Sequence, residues 1–333
     1  MKRKVLVSSM VAGLFLLGAC GSKSEKAAES SSAAAPVTIK AYGELDPQVS
    51  AQQIIAEEQG FFEEQGLNVE NNLMTGPDQN ASLVSSGEAD VIFGSIYNNI
   101  SVAANGVDAK VFLPLANAGN TQAIIARKGL EVKAPKDLAG LKIGATSGSG
   151  VLIALQSFAE DTGVDYNSFE FVNLQAADQL TALEKGDVDL IAVWEPWVSK
   201  AVADGGTVLF TGKKSYIDGS EKDVDYLNFY MTASVAGKFY EEHPEAVAKF
   251  AKALDQATDY INDNMEEAAK VVAAKIKISE DECLTIMKKN QYSTEWKAEF
   301  IDSADAMSKF MLETDSIDEI PAFDSYTIKD ILK

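Results

Sequence analysis

The chain has 333 residues, with 50 acidic and 29 basic side chains and a formal net charge of −21. This length is sufficient for two domains of ordinary size, and the lack of a Lys/Arg cluster beyond the first four residues argues against nucleic-acid binding. The two cysteines, Cys20 and Cys283, and the single histidine, His243, exclude a multi-histidine metal site and argue against Ser-His-Asp catalysis.

The N-terminal segment is predicted to be a targeting signal. A basic start precedes an apolar run of the length of a secretory signal. Small residues directly before Cys20 resemble a bacterial lipobox, so we expect residues 1–19 to be a lipoprotein signal peptide and Cys20 to carry the lipid (palmitate). The alternative is an ordinary cleaved signal with a chance cysteine. Residues 20–36, rich in Ser and Ala, are expected to be a flexible tether to the membrane surface.

Hydrophobic periodicity then predicts strands that alternate with helices, which is typical of a mainly parallel α/β sheet. A helix end, a glycine and an apolar strand entered through Asp occur at 83–92 and again at 183–191. The two glycines, Gly87 and Gly186, lie 99 residues apart, which indicates an α/β unit built twice. The first set of strands is predicted at 37–42, 67–74, 90–94, 110–115 and 122–126.

A second set of strands is predicted at 141–145, 169–174, 188–193 and 207–210, and a strand at 226–233 is expected to return to the first lobe. Beyond His243, which with Pro244 is typical of a helix entry, helices are predicted to the C-terminus and are expected to pack on the first lobe. We therefore expect two lobes with a ligand cleft between them. The first lobe is expected to comprise residues 37–126 and residues 226–333, which return to it. The second lobe is expected to comprise residues 127–225.

The loop TSGSG at 146–150 follows a strand and begins a helix, so its N–H groups and hydroxyls are expected to face the space beyond the strand end. It could bind an electronegative group or could be a simple helix cap. The segment WEPW at 194–197 ends a strand and holds two of the three tryptophans. Trp194 and Glu195 are candidates for the cleft; the alternative is that both indoles pack in a core, and Trp197 is expected to be structural.

These motifs resemble a family in combination. GFF-x-x-x-GL-x-V-E at Gly60–Glu70, SG-x-x-D at Ser86–Asp90, DLAGLKIG followed by SGS at Asp137–Ser149, and G-x-VD followed by WEPW at Gly186–Trp197 are similar to segments of nitrate/sulfonate/taurine and thiamine-precursor substrate-binding proteins. The resemblance implies a type II periplasmic-binding-protein fold of two lobes, with mainly parallel sheets flanked by helices. It also implies service to an ABC importer.

Carried over by position, the resemblance implies a ligand site at the strand ends. The chain departs from sulfonate binders because its one arginine after the signal, Arg127, falls on the connection between lobes. Acidic residues near the cleft would also oppose an anion, so we favour an aromatic or heterocyclic ligand, such as a vitamin precursor, over nitrate or a simple sulfonate, with a sulfonate-like ligand as the alternative. The implied site is Tyr42, Glu44, Asp46, Thr75, Gly76, Ser95, Asn120, Thr121, Gln122, Ser147, Gly148, Ser149, Gln175, Trp194 and Glu195.

The expected function is that of a monomeric, lipid-anchored extracytoplasmic receptor without cofactor or metal, since Walker and spaced G-x-G-x-x-G patterns are absent. It would close over a small molecule by hinges near Arg127 and at 207–227, and deliver it to a membrane permease. One alternative is an enzyme of the thiamine-pyrimidine synthesis type on the same fold, which would need reactive histidines or cysteines. Another is a tethered sensory domain that acts without transport.

Overall fold

A computed structural model describes residues 37–76 and 79–333. The predicted signal peptide, Cys20 and the tether lie outside the described residues. The strands are β1 (Thr38–Glu44), β2 (Asn68–Met74), β3 (Val91–Ser95), β4 (Ala109–Asn117), β5 (Gln122–Ala126), β6 (Lys142–Ala145), β7 (Glu170–Asn173), β8 (Leu190–Trp194), β9 (Thr207–Thr211), β10 (Lys214–Ser215), β11 (Lys222–Asp223), β12 (Tyr230–Ala236) and β13 (Gln291–Tyr292).

Helices follow most strands and carry the C-terminal part of the chain. In the described residues no helix is both long and apolar enough to cross a membrane. The helices are α1 (Pro47–Glu58), α2 (Phe61–Glu64), α3 (Asn80–Ser86), α4 (Ile96–Ala104), α5 (Val151–Thr162), α6 (Ala176–Lys185), α7 (Trp197–Ala203), α8 (Gly237–Glu242), α9 (Pro244–Asp263), α10 (Met265–Ile276), α11 (Glu280–Met287) and α12 (Ala298–Glu313).

The strands form two sheets with matching topology. The first has the order β13-β4-β12-β3-β1-β2 and the second the order β11-β10-β9-β5-β8-β6-β7. In each, most long strands run one way, and one antiparallel strand, β12 or β5, is inserted among them. The chain enters β5 of the second sheet directly after β4 of the first sheet, and it enters β12 of the first sheet after β11 of the second sheet. The prediction of mainly parallel sheets flanked by helices is confirmed.

The predicted repeat is a structural equivalence. Gly87 and Gly186 end α3 and α6 with the same left-handed backbone, φ 74° and ψ 20°. This conformation favours glycine because a side chain would clash with the backbone. Asp90 and Asp189 then accept hydrogen bonds from the N–H groups of Lys40 and Lys142, at 2.8 and 3.2 Å. Asp90 therefore ties β1 to β3, and Asp189 ties β6 to β8.

Apolar side chains fill the space between sheets and helices. The central strands β3, β4, β5 and β12 are buried along nearly all their length, which is typical of sheets covered on both faces. Helices α9 and α10 pack on α1, and α12 packs on α4. The C-terminal helices therefore lie on the first sheet, as predicted, and Met307 and Met311 of α12 also reach the core around α5.

The division of the chain into lobes differs from the expectation at one strand. Gln122–Ala126 was expected to end the first lobe, but β5 pairs with β8 and β9 of the second sheet. Periodicity identifies a buried strand and does not identify its partners, so the sequence could not place β5. The remaining lobe boundaries stay a prediction.

Candidate functional site

One cavity of about 320 Å³ receives side chains from both sheets. Trp194 at the end of β8 and Ser147 beyond the end of β6 line it together with the residues after β1 and β3. Carboxyl ends of strands meet at this edge of each sheet, where α/β proteins bind ligands. The lining residues are Glu44, Asp46, Gln48, Val49, Ser95, Tyr97, Asn98, Gln122, Thr146, Ser147, Ser149, Gly150, Trp194, Phe229 and Met231.

The wall next to the first sheet is built where β1 turns into α1. Asp46 is the N-cap of α1, with Pro47 at the first helical position, and its carboxylate accepts the Gln48 N–H at 2.8 Å. Both are favoured at helix starts, so the local sequence fixes this geometry. Glu44, at the end of β1, is buried in the same wall. The turn therefore places two carboxylates beside the cavity.

Gln48 connects the two walls. Its Nε2 donates to both carboxylate oxygens of Asp46, at 3.2 and 3.3 Å, and to the backbone oxygen of Glu195 at 3.2 Å. Its side chain is 2% exposed, and its Oε1 has no hydrogen-bond partner within the described residues. A buried acceptor without a donor is unfavourable, so a ligand that donates here would satisfy it.

The pKa of Asp46 is raised to about 6, chiefly by burial and to a smaller extent by the nearby Glu195 carboxylate, while the hydrogen bonds from Gln48 oppose the change. The ionised form is disfavoured because charge is poorly solvated in this wall. Asp46 is thus a carboxyl group whose charge a cationic neighbour would stabilise.

On β3 and α4, Ser95 serves mainly as a helix cap. Its hydroxyl donates to Asn98 Oδ1 at 2.6 Å, and it accepts the Asn98 N–H at 3.3 Å. This is a capping box with Asn in the third position. The cap holds Tyr97 and Asn98 at the cavity, where the Tyr97 ring supplies an aromatic surface.

The loop at 146–150 forms the opposite wall. Thr146 Oγ1 donates to the Leu174 carbonyl oxygen at 3.0 Å and the Ser147 N–H donates to Asn173 Oδ1 at 3.0 Å. Gly150 is the N-cap of α5 without a side-chain cap bond. Ser149 Oγ has no partner within the described residues, so this hydroxyl does not cap the helix and remains available to a ligand.

Trp194, Tyr97, Phe229 and Met231 supply the apolar part of the cavity. Trp194 is half-buried and lies opposite Gln122 on the neighbouring strand β5. Aromatic faces at this position can hold a planar ligand by stacking. The cavity therefore has an aromatic side and a polar side.

Glu195 is fully buried but turns away from the cavity. Its carboxylate accepts the N–H and the hydroxyl of Ser199, both at 3.0 Å, and forms an ion pair with Lys289. Lys289 follows α11, so this pair joins the C-terminal part of the chain to the second sheet. The Glu195 carboxylate therefore contacts Ser199 and Lys289 in place of the expected contact with a ligand.

Seven of the fifteen predicted site residues line the cavity, namely Glu44, Asp46, Ser95, Gln122, Ser147, Ser149 and Trp194. The other eight do not line it; Thr75 and Gln175 are exposed, and several others have local hydrogen-bond partners. Tyr42 donates to Glu88, Thr121 to the Ala118 carbonyl oxygen, and Asn120 accepts from Thr211. Those that do not line the cavity are Tyr42, Thr75, Gly76, Asn120, Thr121, Gly148, Gln175 and Glu195.

Six lining residues lie outside the segments that the sequence singled out. Gln48, Val49, Tyr97 and Asn98 lie in the first turns of α1 and α4, so the rule that helix starts follow strand ends could have found them. Phe229 and Met231 come from the chain returning to β12, and only the strand pairing places them there. Thr146 and Gly150, which also line the cavity, belong to the candidate loop at 146–150, although the residues carried over from the family were Ser147, Gly148 and Ser149.

Arg127 does not contribute a charge to the cavity. Its Nε lies 3.0 Å from Asp189 Oδ1, at the far end of β5. None of the residues that line the cavity is Lys, Arg or His, within the part of the chain that the structure describes. Glu44 and Asp46 are therefore its charged lining residues.

Two sheets of matching topology around one ligand-sized cavity define the periplasmic-binding-protein fold. A family model described as NMT1/THI5 like matches residues 48–268, so the chain belongs to this family. A putative aliphatic sulfonates-binding protein of Bacillus subtilis is 26% identical over 81% of this chain and 77% of its own length. The taurine-binding periplasmic protein of Escherichia coli is 30% identical over 55% of this chain and 56% of its own length.

Solved structures agree on the fold. The periplasmic aliphatic sulphonate binding protein SsuA of Escherichia coli has a TM-score of 0.71 at 15% identity, covering 87% of this chain and 92% of that one. The desulfurization enzyme DszB has a TM-score of 0.63 at 16% identity, covering 89% and 97%. The same architecture therefore occurs in a binding protein and in an enzyme, and the site must decide between them.

Proposed function

We propose that this protein is an extracytoplasmic solute-binding protein of an ABC importer, which holds a small organic molecule between its two sheets and delivers it to the permease. The observation that carries the proposal is a cavity lined from both sheets, with Asp46 and Tyr97 on one side and Ser149 and Trp194 on the other. A ligand that contacts both sides favours the closed arrangement, and a permease can recognise that arrangement.

The chain crosses between the sheets twice, and the two crossings lie side by side. The Ala118 N–H donates to the Phe229 carbonyl oxygen at 2.7 Å, and the Gly212 N–H donates to Gly119 at 3.0 Å. A Cβ on Gly119 would lie 2.2 Å from the Leu227 carbonyl oxygen, so the strands can approach this closely only at glycine. We place the hinges at these two crossings. The first hinge therefore lies earlier in the chain than the expected position near Arg127.

We favour an aromatic or heterocyclic ligand over an inorganic anion or a simple sulfonate. Two named relatives bind sulfonates or taurine, but the lining of this cavity combines aromatic side chains with carboxylates and has no basic side chain among the described residues. An anion would be repelled by Glu44 and by ionised Asp46 and would find no cation to offset its lost hydration.

The alternative of an enzyme is supported by the fold of DszB and is disfavoured by the position of the reactive groups. Cys283 is fully buried among core residues, and burial raises the pKa of its thiol to about 12. His243 lies at the start of α9, packed near Phe239. Neither lines the cavity, so neither can act on a ligand held there.

The N-terminal lipid on Cys20 and the tether at residues 20–36 belong to the proposal. They would keep the receptor, acting as a monomer, at the outer face of the cell membrane beside the permease. A tethered sensor without transport would share this anchoring. A permease gene next to the gene of this protein would favour the importer.

A thermal-shift screen tests the proposal. The protein is heated with sulfonates, nitrate, pyrimidines, flavins and aromatic acids, because a ligand that binds the native state raises the apparent melting temperature. Each hit is then incubated with the protein and analysed by mass spectrometry. We expect a stabilising ligand that is recovered unchanged. Conversion of the ligand to a product would contradict the proposal and support the enzyme.

A further inference from the structure

The wall formed by Glu44, Asp46 and Gln48, here called the acceptor wall, offers carboxylate and amide oxygens as hydrogen-bond acceptors at the cavity. The Gln48 amide nitrogen donates to the two carboxylate oxygens of Asp46 and to the backbone oxygen of Glu195, and all three of these atoms are acceptors. This arrangement fixes the orientation of the amide and directs Oε1 away from those partners. Oε1 then has no donor among the described residues although Gln48 is 2% exposed.

The charged side chains that line the cavity at the acceptor wall are acidic, among the described residues. Glu44 and Asp46 line the cavity, and the Glu195 carboxylate lies close enough to act on Asp46. The nearby cation, Lys289, is engaged with Glu195 on the other side of that residue. A carboxylate in a poorly solvated wall needs a positive partner, and a ligand can provide one.

We propose that the acceptor wall binds a cationic nitrogen of the ligand, such as an ammonium, an amidinium or a protonated ring nitrogen. The inference rests on the proposed solute-binding function and specifies its substrate class. The N–H groups of such a nitrogen would donate to Asp46 and to Gln48 Oε1. The apolar body of the ligand would then lie toward Trp194 and Phe229, where an aromatic face also favours positive charge.

A purely structural role of Asp46 must be separated from a role in binding. Asp46→Asn keeps a side chain that caps a helix equally well and removes the charge. Asp165 provides a matched control, because it caps a short helical turn by accepting the Asn167 N–H at 2.9 Å, in the same i to i+2 arrangement, and does not line the cavity. Glu44→Gln is a second test of the wall, should Asp46→Asn fold poorly.

The experiment is a calorimetric titration of the protein near neutral pH with benzamidine, benzamide and benzoate. These three probes share one planar shape and are cationic, neutral and anionic. We expect benzamidine to bind on the order of ten- to a hundredfold more tightly than benzamide, as a charge-assisted hydrogen bond provides, and benzoate to bind most weakly. Asp46→Asn should remove about tenfold of the benzamidine preference and leave benzamide unchanged, whereas Asp165→Asn should change neither.

Three results would overturn the inference. Benzoate binding more tightly than benzamidine would show that the cavity selects anions, and would leave the solute-binding function intact. A benzamidine preference unaffected by both Asp46→Asn and Glu44→Gln would place the cation elsewhere. No binding of any probe at millimolar concentration would also reject the acceptor wall as a cation subsite, and the metabolite screen would then decide the solute-binding function separately.

Discussion

Asp46 both caps helix α1 and lines the cavity, and its ionisation makes the stability of the folded protein depend on pH. Its pKa is raised to about 6 in the folded protein, chiefly by burial, whereas an unfolded chain would titrate near its ordinary value. The native state therefore binds more protons than the unfolded state between about pH 4 and about pH 6, so stability falls as pH rises through that window.

We expect Asp46→Asn to be more stabilising, relative to the parent protein, at about pH 7 than at about pH 4. The difference between the two pH values should be about 1–3 kcal/mol, because the variant has no carboxyl group to ionise in the wall and Asn caps helices well. Urea unfolding at both pH values measures it. A stability difference that does not vary with pH would show that Asp46 ionises in the folded protein as it does in water.

Trp194 is half-buried at the cavity edge and could either stack on a ligand or only complete a core. Trp194→Ala should weaken binding of the ligand found by screening by about 1–3 kcal/mol. Trp197→Ala is the matched control, since that indole begins α7 outside the cavity and contacts Lys200. Calorimetry gives both affinities. Unchanged affinity with lowered stability in Trp194→Ala would assign the indole to the core.

The turn from helix to strand that occurs twice connects sequence and fold most directly. Gly87 and Gly186 have the same backbone angles, and beyond the residues adjacent in the chain a Cβ at either position would meet no atom within 4 Å. Replacing either glycine therefore changes the backbone energy alone.

Gly87→Ala and Gly186→Ala should each lower the free energy of unfolding by about 1 kcal/mol, and by similar amounts, because the strain of a left-handed alanine is the same in both. Asn at the same positions should cost less, since Asn tolerates this conformation. Urea unfolding monitors each variant. A large loss at one glycine and none at the other would contradict the structural equivalence of the two units.

The local patterns predicted the strands, the helices and the repeat, because periodicity, glycine caps and Asp at strand entry act within a few residues. They also predicted site residues that follow a strand end directly, such as Ser149 and Trp194. They did not predict features that depend on which strands pair, namely the sheet to which β5 belongs and the positions of Phe229 and Met231 at the cavity. They failed for Glu195 because its position depends on Lys289, which lies 94 residues later.

The ion pair between Glu195 and Lys289 ties the two halves of the molecule together. Glu195 is fully buried and Lys289 is 27% exposed. Removing one partner leaves a buried charge without compensation, which costs more than the pair itself contributes.

Lys289→Met should therefore weaken ligand binding by about 1–3 kcal/mol, because loss of the ion pair disfavours the closed arrangement. This loss should be smaller than that for a fully buried pair, because Lys289 keeps contact with water. The double variant with Glu195→Gln should recover part of the loss. A double-mutant cycle of ligand affinity measures the coupling. Additive effects of the two substitutions would show that the pair does not link binding to closure.

The central claim is that a small molecule, held unchanged between the two sheets, closes the molecule reversibly. Spin labels introduced at Glu63 on α2 and Asp178 on α6, both exposed, report the separation of the halves by pulsed electron resonance. We predict that the ligand from the screen shortens and narrows the distance distribution, and that its removal by dialysis restores the original one. A distribution that does not change at saturating ligand would contradict the account.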